Sequence, residues 1–304
     1  MNILIIGGGG FLGSHISDLC ATQGWKVTTL DRSAPPNAAS SPNIRHIQGS
    51  FLDADVLAKA LVGTDAVIHL AHTRVPLTAA SDPVADISEN LIGTIGLMEA
   101  MRRADIRRLV YFSSGGTVYG RPETVPVTEH HAIRPIGAYG ACKAAIENYI
   151  GVASSAWGLE SCILRVSNPY GPRQSTSGVQ GVIGSFMARL IENKPLEIVG
   201  DGSMIRDYIF VKDIAALCIS VISSNAIGIY NAGSGLGTSL TELVSLMGRV
   251  TTKTINVKHL PSRPFDVPVN ILDISRISKV TGWVPAYSIE QGLAETWLYN
   301  QANK

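Results

Sequence analysis

Through the first 166 residues, short apolar runs alternate with stretches of helical period. Residues 2–6 (Asn-Ile-Leu-Ile-Ile) are apolar at successive positions, the pattern of a strand covered on both faces. Residues 11–23 then space their apolar side chains three and four apart, which predicts a helix. Further strands are predicted at 26–30, 44–48, 66–70, 109–113 and 161–166. Helices are predicted at 83–103, where Pro83 suits a first turn, and at 136–157. Strands alternating with helices in this way predict an α/β fold with a doubly wound parallel sheet. After Val166 the rhythm changes. Turn-rich stretches (168–174, 200–202, 233–237) separate shorter elements. The division expected is a first domain over residues 1–166 and a smaller C-terminal substrate-binding subdomain over 167–206 and 233–304. Residues 207–232 return to the first domain, with 208–211 as a strand of its sheet. No linker-like segment separates the two, so a cleft between closely packed parts is expected.

Composition narrows the class. Apolar residues make up 45% of the 304-residue chain and charged residues 16%, the balance of a packed globular enzyme. A formal charge of +1 gives no global field for nucleic acid or an anionic membrane, so an anionic ligand must be held by local groups. Cys20, Cys142, Cys162 and Cys218 lie far apart without a metal-like spacing, which predicts reduced thiols, no metal and a cytoplasmic protein. The opening residues lack a basic segment and read as a first strand, and no apolar run approaches the ~18–20 residues of a membrane helix.

The candidate chemistry begins at the turn after the first strand. Gly7, Gly10 and Gly13 let backbone approach a pyrophosphate, whose charge then meets the N-terminus of the following helix; Phe11 and Leu12 lie inside the turn. Asp31 ends the next strand, 18 residues after Gly13. A carboxylate there accepts from both ribose hydroxyls and repels a 2′-phosphate, favouring NAD over NADP, while Arg32 beside it can stack on adenine or pair with a phosphate. Tyr139 and Lys143 stand four residues apart in a predicted helix and so share a face. An ammonium beside the phenol should lower its pKa and suit it to take a proton from an alcohol.

With these residues in order, the chain resembles the extended short-chain dehydrogenase/reductase family, in its nucleotide-sugar 4-epimerase and dehydratase branch. The resemblance covers nearly the whole length. It includes Ile68-His-Leu-Ala71, Phe112-Ser-Ser-Gly-Gly-Thr-Val-Tyr-Gly120, Leu164-Arg-Val-Ser-Asn-Pro-Tyr-Gly-Pro-Arg-Gln174, Gly200-Asp-Gly-Ser-Met-Ile-Arg-Asp-Tyr208 and Arg263-Pro-Phe-Asp-Val267. It implies a Rossmann-type NAD-binding domain in which Ser50, Phe51, Leu70, Ala71, His72 and Ser113 join the glycine turn and Asp31 around the cofactor. Tyr139 would be the acid/base and Lys143 its partner. Asn168 would hold the sugar nucleotide near its phosphates, and Arg206 and Arg263 would clamp the diphosphate. The implied reaction is NAD-dependent C4 epimerisation of a UDP-linked hexose or N-acetylhexosamine through a 4-keto intermediate. Surface-polysaccharide synthesis is one setting for such an enzyme.

Departures from the family pattern set the alternatives. A Ser or Thr normally stands at position 115, where this chain has Gly115; Ser114 or Thr117 is the candidate replacement, or a water. Gly115 also leaves open a weakly active or non-catalytic NAD-binding relative. Gly116-Thr117 lacks the Asp-Glu pair of a 4,6-dehydratase and the acid of a decarboxylase; Asp31 counts against an NADPH-dependent 4-keto reductase. Ser50 stands where an acid often reads adenine, with Asp53 read as a helix cap, and Phe265 reshapes the substrate pocket. His69 reads as a core residue, His130 and His131 as a solvated turn, and Trp25, Trp157 and Trp283 as packing residues. Apolar residues on more than one face of 83–103 and 136–157 imply, by the same resemblance, a four-helix homodimer interface.

Overall fold

The computed structural model describes residues 1–33, 41–175, 181–262 and 267–303. Six parallel strands form the first half: β1 (Asn2–Ile6), β2 (Lys26–Asp31), β3 (Ile44–Gln48), β4 (Ala66–His69), β5 (Arg108–Ser114) and β6 (Glu160–Val166). The second half adds β7 (Asn168–Tyr170), β8 (Leu196–Val199), β9 (Ile205–Phe210), β10 (Gly228–Ala232), β11 (Gly237–Ser239), β12 (Val257–Leu260) and β13 (Val269–Asn270). The main sheet has the order β10-β6-β5-β4-β1-β2-β3, every pair parallel. The order reverses beside β1, the switch point at which open α/β sheets bind ligands.

Alternate strand residues feed two separate cores. Ile3, Ile5, Ile68, Val110 and Leu164 face one way, beneath the helices Phe11–Thr22 and Val211–Ser223. Leu4, Ile6, Val67, Leu109 and Ile163 face the other, beneath Ala54–Leu61, Gly93–Arg103 and Ala138–Trp157. Burial on both faces explains the continuous apolar runs. A third core, including Tyr170, Phe186, Phe210, Leu243 and Trp297, belongs to the C-terminal half.

Two expectations change. Residues 208–211 do not return to the main sheet: β9 pairs with β7, β11 and β13, and the strand that joins the main sheet beside β6 is β10. The apolar end of β9 is buried in either arrangement, so its pattern could not choose between sheets. The predicted helix at 83–103 does form, but it is interrupted: α-helix over Pro83–Asp86, a π-helical turn over Ile87–Ile92, then α-helix over Gly93–Arg103. Wide turns of this kind recur at functional sites. The helix predicted at 136–157 begins at Ala138, with Gly137 extended before it. All four cysteines are free and buried, and Trp283 is buried in the first core.

Candidate active site

A cleft of about 1420 Å³ opens at the switch point. Its walls contain every described residue expected at the site, from the glycine turn through Asp31, Ser50, His72, Ser113, Ser114, Thr117, Tyr139 and Lys143 to Asn168 and Arg206. Arg263 and Phe265 lie outside the described residues. A smaller cavity of about 300 Å³ adjoins it and shares Asn168, Pro169, Gln174, Gly181 and Arg206.

The glycine turn is a cradle that side chains would fill. Gly7 has φ +86°, and a Cβ there would stand 2.9 Å from the Ala71 nitrogen. A Cβ on Gly13 would lie 2.1 Å from the Gly7 carbonyl oxygen. Both positions therefore keep backbone exposed above the N-terminus of Phe11–Thr22, whose free N–H groups suit a pyrophosphate. Asp31 closes the far side: its carboxylate accepts from Gly9 N at 3.1 Å and Arg32 N at 2.8 Å. These residues fit a dinucleotide lacking a 2′-phosphate. Asp53 caps Ala54–Leu61 by accepting from Asp55 N and Val56 N, as the cap reading requires. Ser50 Oγ accepts from Leu52 N.

The titrating end of the cleft is more tightly enclosed. Lys143 is buried, donates to the Phe112 carbonyl at 2.7 Å, and lies 5.8 Å from the Tyr139 ring centre. Burial lowers its pKa to about 8. The Tyr139 phenol moves opposite to the expected direction: burial first, then the Asp86 and Cys142 charges, raise it. Spacing alone placed a cation near the ring but could not reveal the desolvation or the nearby carboxylate. His69 is driven down to about 3 by burial and donates to or accepts from Thr94 at 3.1 Å, as a core residue.

At Gly115 the departure from the family pattern has a packing cause. An added Cβ would meet Leu272 Cδ1 at 2.6 Å and the Arg165 carbonyl at 2.9 Å, and Leu272 is wholly buried. Of the neighbouring hydroxyls, Thr117 Oγ1 is buried without a hydrogen-bond partner in the cleft wall. The Ser113 hydroxyl is committed elsewhere, donating to Glu147 at 2.5 Å.

Several site-supporting residues went unrecognised in the sequence. Glu147 takes a bidentate ion pair from Arg165, 2.6 Å at its shortest, and Arg165 also donates to Tyr119, which in turn donates to Asn231. This buried network ties the Tyr139 helix to β5 and β6. Asp86, only 1% exposed at its side chain, lies 3.0 Å from His72 Nε2. The i, i+4 step from Lys143 to Glu147 was the one available signal; Asp86 carried none, because the fold alone brings it to His72.

Residues 3–233 match the NAD dependent epimerase/dehydratase family. The chain is 33% identical over 302 residues to a putative UDP-glucose 4-epimerase of Methanocaldococcus jannaschii, covering 98% of each chain. It superposes with TM-score 0.92 and 30% identity on a Thermus thermophilus UDP-glucose 4-epimerase solved with NAD, covering 100% of both. A UDP-N-acetylglucosamine 4-epimerase of Methanobrevibacter ruminantium, solved with UDP-N-acetylmuramic acid, gives TM-score 0.94 and 30% identity, with 100% of this chain and 99% of that one covered. The chain belongs to the NAD-dependent epimerase/dehydratase family. It is an enzyme, and NAD is its cofactor.

Proposed function

We propose that the chain inverts C4 of a nucleotide-linked hexose, UDP-glucose/galactose or their N-acetylamino forms, through a 4-keto intermediate. The observation that carries this reading is the shape of the cleft. The acid/base pair and an unpartnered hydroxyl stand at its dinucleotide end, and the cavity continues to Asn168 and Arg206. Tyr139 takes the proton of the C4 hydroxyl and later returns it. Lys143, charged below about pH 8, favours the phenolate against the burial that opposes it. Thr117, whose hydroxyl has no protein partner, replaces the group that Gly115 lacks and orients the reacting hydroxyl. Bound NAD supplies the acceptor, and then the donor, of the C4 hydride. Asn168 and Arg206, with Arg263 outside the described residues, hold the diphosphate, so the sugar is free to turn between the two transfers. The domain division given above, with β10 rather than 208–211 as the strand that returns to the main sheet, a homodimer and a cytoplasmic location complete the proposal. Exposed Val84, Ile87, Tyr149 and Val152 on the two long helices support the dimer, and four free thiols support the location.

A panel of UDP-sugars followed by chromatography tests the reading: C4 epimers should appear without added cofactor. Thr117→Val should lower kcat about 10²-fold, the usual cost of one lost hydrogen-bonding group at a reacting oxygen, while Ser114→Ala stays within severalfold of wild type. The reverse ranking would assign the role to Ser114.

A further inference from the structure

Behind Tyr139 lies a buried polar chain that the epimerase reading does not require. The His72 ring packs edge-on against the Tyr139 ring, with centres 4.6 Å apart. His72 Nε2 meets Asp86 Oδ1 at 3.0 Å, and the same oxygen accepts from Asn90 Nδ2 at 2.9 Å. Asn90 also donates to the Asp86 carbonyl at 3.1 Å, and its own oxygen accepts from Thr73 N at 2.8 Å. Asp86 ends the α-helical turn before the π-helical segment, and Asn90 lies within that segment. The wide turn thus points two polar side chains inward at the back of the catalytic tyrosine. Asp86 Oδ2 is buried without a partner.

We propose that Asn90, Asp86 and His72 form a positioning chain that fixes the Tyr139 ring and sets the charge it faces. This rests on the assignment of Tyr139 as the acid/base. Burial keeps His72 neutral, with a pKa near 2, so its Nε2–H donates to the Asp86 carboxylate. Asp86 is the leading charge that raises the phenol, and it opposes Lys143. The other titratable groups facing the chain are Cys142 on the Tyr139 helix, His69 on β4, Tyr111 on β5 and Arg74 after β4. Asp86 and Lys143 act on the phenol with opposite sign, so the placement of Asp86 sets how readily Tyr139 gives up and recovers its proton.

The Cys142 sulfur, His72 and Asp86 also bring potential ligand atoms within 4.8 Å of one another. The Lys143 ammonium beside them and the existing His72–Asp86 hydrogen bond disfavour a cation there.

The test uses the NAD-loaded protein carrying ¹³Cζ-tyrosine, with the Tyr139 resonance assigned through Tyr139→Phe. Asp86→Asn keeps the shape and removes the charge; His72→Phe keeps the ring and removes the anchor. Tyr139 should titrate at lower pH in Asp86→Asn than in wild type, and the acid limb of kcat/KM should move the same way. His72→Phe should lower kcat about tenfold with KM within twofold. Its combination with Asp86→Asn should cost less than the product of the two losses, because the residues act as one unit. An unmoved Tyr139 titration in Asp86→Asn overturns the proposal. So does one equivalent of zinc in the purified protein that disappears in Cys142→Ser. Absence of any sugar turnover would sink the epimerase reading and still leave the tyrosine titration readable.

Discussion

The two ends of the cleft are built differently. The dinucleotide end rests on the ends of parallel strands locked into the main sheet, and its key groups are the backbone of the Gly7–Gly13 turn, a half-buried Asp31 tied to two backbone N–H groups, and Lys143 at 2% exposure. The nucleotide-sugar end is made by β7 and β9 of the second sheet, and Arg206 there lines both cavities and stays partly exposed. One end is a rigid seat suited to a cofactor that stays; the other is an open anchor suited to a ligand that leaves. The difference teaches that catalysis and binding should separate by position, since buried preorganised groups act on the reacting atoms and open cations on affinity.

The strongest challenge to this contrast is Lys143→Met. It removes a buried charge beside the phenol, and kcat should fall about 10²–10³-fold with little change in KM. Wild-type activity should also decline above about pH 8, as the depressed Lys143 pKa releases the proton that carries the charge. The residual rate of the variant should lack that limb. A KM-only effect would place Lys143 with the binding groups.

Gly115→Ser asks whether the glycine reflects packing or a lost function. Overpacking against Leu272 and the Arg165 carbonyl should cost about 1–3 kcal/mol in urea unfolding, with no gain in kcat. A stable, faster variant would show that the glycine is dispensable to the fold and a serine useful to the chemistry. At the open end, Arg206→Ala should raise KM about tenfold, roughly 1.4 kcal/mol, and leave kcat nearly unchanged. A comparable loss in kcat would erase the distinction between the ends.

The dinucleotide end was largely legible in the sequence. Strands covered on both faces leave continuous apolar runs, and the glycine spacing with Asp31 states its own geometry. The second half was less so. Strands β11 and β13 have three and two residues, too short for any period, and β10 opens on Gly228, which reads as a turn. β9 is long enough to read as a strand, but it was assigned to the wrong sheet because its apolar end is buried in either arrangement. At the site, Tyr139 and Lys143 were readable because one helix carries both. The Asp86–His72 contact was not, because only folding brings together residues 14 positions apart; the raised Tyr139 pKa, caused by burial first and Asp86 second, was hidden in the same way. His72 was expected to line the cofactor pocket and stands in the wall of the cleft; its partner gave no sign.

The central claim is that Tyr139 moves a proton at C4 while the hydride stays within the site. Proton NMR of UDP-galactose incubated in D₂O with the purified protein and no added cofactor tests it directly. The account predicts UDP-glucose with hydrogen, not deuterium, retained at C4 and C5, and loss of the conversion in Tyr139→Phe. Deuterium at C5, or undiminished conversion by Tyr139→Phe, would contradict it.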